Sequence, residues 1–397
     1  MVLDDGKKQI VVVTSSLMKP LFLTNNPNLS STSRILQSWL VLGEKHGMRG
    51  VVVGRAEGDL VEWMRGRGIP CLVDPMPWFD RRRPWEALWH AYRVARWAKT
   101  QGVDVIHCNE HDLYPFVMLL KRFLKRPVVC YVRYRLDRDF AKWCFAGKRR
   151  PDQLLWTSLQ QKIDSFDAVA DLIADADQQV VHLGIDLSQF GSDGERGLRF
   201  RREHGIADDE ILLATASPLR PRKRVEDFIE VMRRLAPRHP KLVGIIGGGE
   251  IAGDEEYRVR IEREVRDSGL GRRLQWVGNL EPVEPLHSAC DISISTSEYE
   301  TFGNSVCEAM ACGKPVVGYV GGSVAEVVGE TGISVKTKDL SALVAAVECL
   351  VVDPTMRCFL GDKARERVRD VFNPEHGLLK VLAIYDSLLK PKVRSVK

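Results

Sequence analysis

Two glutamates, Glu300 and Glu308, are separated by seven residues in the stretch Ser297-Glu298-Tyr299-Glu300-Thr301-Phe302-Gly303-Asn304-Ser305-Val306-Cys307-Glu308. A carboxylate accepts paired hydrogen bonds from neighbouring hydroxyls, so one acid could receive a ribose diol and the other the hydroxyls of a sugar. Ser305-x-x-Glu308 also fits a capping box at a helix start, and Glu300 also fits a solvated loop acid; spacing alone leaves both open. A second reactive stretch, Ser217-Pro218-Leu219-Arg220-Pro221-Arg222-Lys223-Arg224, carries four cations in five positions. Such a run is usually a solvated face, but directly after a strand a cationic pair can neutralise a leaving diphosphate as its charge develops. Glycines follow strands at Gly247-Gly248-Gly249 and at Gly321-Gly322-Ser323, where a helix start could offer free amides to phosphate. Ala252 breaks the dinucleotide fingerprint that begins at Gly247, and tight turns account for such glycines equally well.

A third cluster sits earlier in the chain. His107, Asn109, Glu110, His111 and Asp112 crowd the end of one expected strand, and Arg133 ends the next. A lone histidine there reads as core, but a polar cluster at a strand mouth points to a binding surface. Arg133 suits an anionic group such as a phosphate or carboxylate. Between Trp78 and Lys99, Arg81, Arg82, Arg83, Arg93 and Arg96 accompany Trp85, Trp89, Tyr92 and Trp97. On a helix, positions 85, 89, 92 and 96 share a face, which suits either packing on a sheet or docking on anionic lipid.

The elements that must position these groups alternate β-branched runs with helical patterns. Gln9–Thr14, Gly50–Gly54, Asp104–His107 and Pro127–Arg133 read as buried parallel strands; Ile211–Ala216, Leu242–Ile246, Leu274–Val277, Asp291–Thr296, Pro315–Tyr319 and Gly332–Val335 form a second set. With 397 residues, the chain is long enough for two domains of about 150 to 200 residues each. The polar stretch Ser188–Asp209 reads as the linker. The expected division is residues 1–187, the linker 188–209, a second domain 210–373, and a terminal helix with a basic tail, 374–397, that crosses back to the first domain.

The net charge of +5 excludes a histone-like or acidic-tail protein, and no nucleic-acid partner is expected. The charge is unevenly divided: residues 1–187 carry 27 Lys+Arg against 21 Asp+Glu, and eight of the nine tryptophans. Nine scattered cysteines without a C-x-x-C pair point to a reduced, cytoplasmic compartment and no zinc site. No run approaches the ~18 apolar residues of a membrane span, so any membrane contact is expected to be peripheral.

From Leu212 to about Leu389 the chain resembles the family-four retaining glycosyltransferases of the GT-B fold. The resemblance rests on ordered features: Leu219-x-Pro221-x-Lys223-Arg224, Ile245-Ile246-Gly247-x-Gly249, Val277-Gly278, Glu300-x7-Glu308, the run from Glu308 to Val317, and Gly321-Gly322 with Glu326. Weaker matches are Val181-x-x-Gly184-Ile185-Asp186-x-x-x-Phe190 and Asp104-Val105-Ile106-His107. It implies two Rossmann-like doubly wound α/β domains facing across a cleft, and sugar transfer from a nucleotide diphosphate sugar to a hydroxyl acceptor such as a lipid-linked acceptor or an anionic glycan.

Glu308 would hold the ribose and Glu300 would orient the transferred sugar. Phe302, Gly303, Asn304 and Ser305 would contact sugar and phosphate through their backbone, with Gly249 and Gly278 beside them. Arg220 and Lys223 would stabilise the departing diphosphate, without a metal ion or other cofactor. His107, Asn109, Glu110 and Arg133 would serve the acceptor, and His111, with Asn109 as its rival, would touch the donor sugar or acceptor hydroxyl. Two departures stand out: Ser217-Pro218 occupies the place of a common Gly-Arg pair, with Arg220 as the substitute, and Ser15–Ser33 lacks the usual Gly-Gly. The alternatives are a nucleotide-sugar epimerase or hydrolase of the same fold, and a non-catalytic relative that binds a partner or membrane.

Overall fold

A computed structural model describes residues 17–28, 31–191, 194–250 and 253–390. The chain divides into two compact units. The first draws its described residues from Met1–Thr157, Lys162–Gly184 and Pro374–Lys397; the second comprises Ser158–Gln161 and Ile185–Asn373.

The first unit holds seven strands: β1 (Pro20–Thr24), β2 (Val51–Gly54), β3 (Cys71–Val73), β4 (Val105–Cys108), β5 (Val128–Val132), β6 (Gln153–Trp156) and β7 (Gln178–Val180). They pair in the order β3-β2-β1-β4-β5-β6-β7, every pair parallel. The second unit holds β8 (Ile211–Ala216), β9 (Leu242–Gly247), β10 (Leu274–Trp276), β11 (Ile292–Ser295), β12 (Val316–Tyr319) and β13 (Ile333–Val335). Their order, β10-β9-β8-β11-β12-β13, repeats the doubly wound pattern, again wholly parallel. Parallel strands need helical crossovers, which cover both faces and bury the sheet. In the second unit Leu213, Ile246 and Val317 pack on one face, with Phe228 and Leu350. Leu212, Val243 and Ile245 face the other way, against Phe200 and Leu286.

Several strands differ from the expectation. Gln9–Thr14 lies outside the described residues. The segment that reads as the loop after it contains β1, whose five residues are all buried at the centre of the first sheet. The chain therefore leaves β1 through Asn25–Asn28, and a helix follows over Ser31–Lys45. The short strands β3, β6 and β7 carry too few β-branched residues to announce themselves. Residues read as linker also form structure: Gly194–Glu203 is a helix with Phe200 and Arg201 buried. A Cβ on Gly197 would come within 2.8 Å of the Ser288 backbone, so this helix lies tightly on Glu284–Ala289. The terminal helix Pro374–Leu389 belongs to the first unit, where the Trp39 indole donates to the Pro374 carbonyl at 3.1 Å.

Both sheets reverse their winding beside the first strand, between β1 and β4 and between β8 and β11. There the loops after adjacent strands diverge to opposite faces and leave room for side chains. In the second unit the loop after β12 closes on this place from the side. Gly322 sits at φ +63°, and its bridge to Glu300 is so close that a Cβ would lie 2.2 Å from the Glu300 carbonyl oxygen. The Glu300 N–H donates to Gly321, and Ser323 returns its N–H and hydroxyl to the Glu300 carbonyl at 2.9 and 3.0 Å. The Ser323 amide is thus not free for a phosphate. Gly322→Ala is expected to lower unfolding free energy by about 2 kcal/mol or more, through left-handed strain plus displacement of the Glu300 strand. Urea unfolding checks this, and an unchanged midpoint would refute it.

Candidate active site

The loops after β8 and β11 are clasped together by consecutive residues. The Arg222 guanidinium donates to the Tyr299 carbonyl at 3.0 Å, and the Glu298 N–H donates to the Arg222 carbonyl at 2.8 Å. The Thr296 hydroxyl donates to the Lys223 carbonyl at 2.7 Å. Arg224, at φ +47°, forks onto Asp227 at 2.8 and 2.9 Å, and the Tyr319 hydroxyl completes that carboxylate at 2.7 Å. Every cation of the basic run except Arg220 is therefore tied to this junction.

At its centre the Lys223 ammonium forms a hydrogen-bonded ion pair with Glu300. Both side chains are nearly enclosed. Burial opposes ionisation of Glu300, but the Lys223 charge and hydrogen bond, a hydrogen bond with Ser297 and the Arg222 charge together hold its pKa below the ordinary carboxylate value. Glu300 is a carboxylate at neutral pH, with the Lys223 ammonium bonded directly to it.

Glu308 follows on the helix Asn304–Ala311. Gly303, at φ +87°, turns the chain into that helix, and no side chain caps it. The capping box of Ser305 and Glu308 is not formed. Instead the buried Glu308 carboxylate stands 3.6 Å from His287 Nε2, and both ring nitrogens of His287 lack a hydrogen-bond partner among the described residues. Asn304 Oδ1 is enclosed without a partner as well. The Phe302 side chain is core, packed edge-on against Phe372 at 5.5 Å, so only its backbone could serve a ligand. First-turn amides of a helix have no intrahelical acceptor, which leaves Asn304 and Ser305 suited to an anion.

The glycines of the other loops have structural tasks. A Cβ on Gly248 would meet the Ser217 carbonyl at 1.8 Å, and the Gly248 N–H donates to Gly278 at 2.7 Å. Gly249 accepts from the Leu219 N–H at 2.9 Å, while Gly278, at φ +74°, has open space around its α-carbon. The Arg220 side chain turns towards Asp254, with Nε 3.1 Å from the carboxylate, while the Arg220 carbonyl accepts from the Lys223 N–H at 2.9 Å.

In the first unit the polar cluster gathers at the ends of β1, β4 and β5. Arg133 donates to the Asn109 carbonyl and Oδ1 at 2.9 and 2.8 Å, and its guanidinium lies 3.9 Å from the Tyr131 ring centre. Asn109 donates to Glu110 at 2.7 Å, and Glu110 also receives the Thr24 hydroxyl and the Asn25 N–H at 3.2 and 3.0 Å. Burial pushes the Glu110 pKa up to about 7, against the Arg133 charge. These side chains form an enclosed network, with Arg133 itself buried.

His107 is enclosed in the same way. It has no exposed surface, packs among Phe22, Trp39, Tyr131 and Tyr385, and shares a 2.6 Å hydrogen bond with the Tyr385 hydroxyl. Burial, helped by Arg133, lowers its pKa to about 3. His111 is buried between Tyr134 and Phe140, with its pKa lowered to about 4 by burial. The sequence reading overlooked His287, Thr24, Asn25 and Tyr134. Thr24 and Asn25 follow directly from the true position of β1, whereas His287 has no spacing signal because it meets Glu308 only through packing of two helices.

Residues 198–367 match the family described as glycosyl transferases group 1. The chain is 28% identical over 265 residues to the lipopolysaccharide core biosynthesis mannosyltransferase LpcC of Rhizobium leguminosarum bv. viciae, covering 61% of this chain and 73% of that protein. It is 24% identical over 339 residues to the mannosyltransferase LpsB of Rhizobium meliloti, covering 84% of each. Among solved structures, Anabaena Alr3699/HepE in complex with UDP and glucose superposes with a TM-score of 0.80 at 20% identity, over 94% of this chain and 100% of that one. That likeness shows the GT-B fold. The segment that matches the group 1 glycosyltransferases carries Lys223, Glu300 and Glu308 and spans most of the second Rossmann-like unit.

Proposed function

We propose that the chain moves a sugar from a nucleotide diphosphate sugar to a hydroxyl acceptor with retention of anomeric configuration. The observation that carries this reading is the buried Lys223–Glu300 ion pair at the switch point of the second sheet, with Glu308 on the adjoining helix. Glu308 takes the ribose diol, and Glu300 takes hydroxyls of the transferred sugar. Lys223 and the amides at Asn304 and Ser305 stabilise the diphosphate. As the bond from the anomeric carbon to the diphosphate oxygen breaks, the electron pair leaves with the diphosphate and Lys223 neutralises it. The acceptor hydroxyl attacks from the same face and its proton passes to the departing phosphate oxygen. Positive charge at the leaving group thus comes from Lys223 and helix amides. The acceptor is a cell envelope glycan or glycolipid, a reading supported by the two mannosyltransferases of lipopolysaccharide core synthesis among the relatives.

Glu300→Ala and Lys223→Ala are each expected to lower turnover at least tenfold, about 1.4 kcal/mol of barrier. Near wild-type turnover in a folded variant would exclude those roles, and conversion of the donor without any acceptor would favour the epimerase or hydrolase alternative. Lys223→Met should also raise the pKa of Glu300, because burial is then opposed only by the Ser297 hydrogen bond and the Arg222 charge. Carbon-13 NMR titration of that carboxyl should move upward from its wild-type midpoint, and an unchanged midpoint would refute the pairing. In the wild type the stability contributed by the lowered pKa is present above the unfolded value and lost as pH falls through the folded one.

The helix Pro84–Gln101 supports membrane docking as part of this function. It turns Ala87, Ala91, Val94, Ala95 and Ala98 to the core, and leaves Trp85, Trp89 and Tyr92 at 65, 56 and 48% exposure. Arg96 and Lys99 share that outer face. Residues 78–100 carry six cations against two acids, which complements anionic headgroups. The surface is narrower than the sequence suggested: Trp97 packs on the core, and the Trp78 indole donates to the Asp112 carbonyl at 3.0 Å, away from this stripe. Among the described residues no helix is long and apolar enough to cross a membrane. Co-sedimentation with vesicles containing phosphatidylglycerol should exceed that with phosphatidylcholine alone, weaken with salt, and fall severalfold in Trp85→Ser/Trp89→Ser. Binding indifferent to anionic lipid and salt would rule docking out.

A further inference from the structure

Five rings meet where the loops leave β3, β4 and β5 of the first unit. Trp78 comes from the loop after β3, His111 from the turn after β4, Tyr134 from the loop after β5, and Phe140 and Trp143 from the helix Arg138–Phe145. Trp78 and Trp143 lie 5.7 Å apart at 61°, and Phe140 meets Trp143 at 5.9 Å and 83°. His111 stands edge-on to Phe140 at 5.7 Å and tilted to Tyr134 at 5.9 Å. Edge contacts fix the rings while leaving faces open: Trp78, Tyr134 and Trp143 remain 47, 55 and 40% exposed. The Trp78 indole is anchored by its hydrogen bond to the Asp112 carbonyl.

Polar atoms interrupt this apolar patch. His111 Nδ1 and Asp112 Oδ1 are enclosed and have no hydrogen-bond partner among the described residues. The other oxygen of Asp112 is held by Asn25 at 2.6 Å, and Asn25 is held in turn by Arg55 at 2.9 Å. An enclosed polar atom without a partner is destabilising, so such a pair beside open ring faces suits a ligand that is apolar on one face and hydroxylated at its rim. A hydrocarbon chain would leave both atoms unsatisfied. A pyranose ring has the right character, with C–H bonds on its faces and hydroxyls around its edge.

We propose that Trp78, Tyr134 and Trp143, with His111 and Asp112, form a binding site for a pyranose ring of a saccharide. This deepens the proposed function, on which it rests for the identification of that saccharide as part of the acceptor. The aromatic faces supply contact area at little cost in side-chain entropy, and the imidazole and carboxylate select for ring hydroxyls.

Saturation-transfer NMR with methyl α-mannopyranoside and methyl β-glucopyranoside, without any donor, tests the site directly. Irradiation of the aromatic protons should transfer saturation to the ring C–H protons of at least one glycoside and leave the open-chain polyol mannitol silent. Tyr134→Ala and Trp143→Ala should each reduce the transfer at least threefold. Tyr134 makes the safer variant for folding because its ring is largely exposed. Glu300→Ala should retain the transfer, since it alters only the second unit. Silence from both glycosides, equal signals for all variants, or a signal lost only in Glu300→Ala would overturn the proposal. Because no donor is present, failure of sugar transfer in a separate assay would leave this readout intact and would count against the proposed reaction alone.

Discussion

A lysine and a glutamate that share a buried position hold the switch-point loops of the second unit in place. Either charge alone would pay a large desolvation cost, so each fixes the other, and through them the loops after β8 and β11 are fixed as well. The parallel pairing of β8 with β11 makes this possible, because it brings two loop exits side by side where the winding reverses. The neighbouring loops serve the same point. Gly321 and Gly322 let the chain after β12 lie directly on Glu300, and Arg222 and Arg224 bind the segment just before it.

The first unit repeats the topology with a different outcome. Its reversal lies between β1 and β4, and an acid again stands there, Glu110. Here the counter-charge, Arg133, stacks on Tyr131 and bonds Asn109, so the network closes on itself. The side chains left with open faces are the rings around His111 and Asp112: Trp78, Tyr134 and Trp143. The same constraint therefore gives an electrostatic centre in one sheet and, at the corresponding place in the other, a buried polar frame beneath an aromatic surface.

Much of this was legible in the sequence, and the reasons are local. Ile211–Ala216 matches β8 residue for residue because a strand buried on both faces is a continuous apolar run. Lys223 and Glu300 were recognisable because each follows a strand that neighbours the reversal. β1 was not, since Pro-Leu-Phe-Leu-Thr is short, has no β-branched residue before its final threonine, and follows a stronger run in residues 9–14. The enclosure of His107 was also hidden: Trp39 and Tyr385, which close over it, come from distant parts of the chain. Strand-end position tells that a polar residue is near a ligand edge, but not whether another segment has already covered it.

The helix Pro84–Gln101 is built with its small residues inward and its large ones outward. Alanines at 87, 91, 95 and 98 let the helix axis lie close to the sheet, which makes it a rigid mount rather than a loose surface segment. Trp85 and Trp89 therefore stand at fixed positions before anything touches them. An amphipathic peptide that folds only on meeting its partner must order its backbone at about 1–2 kcal/mol per residue. This helix has met that cost during folding of the unit, so contact with its outer face requires only the settling of a few side chains.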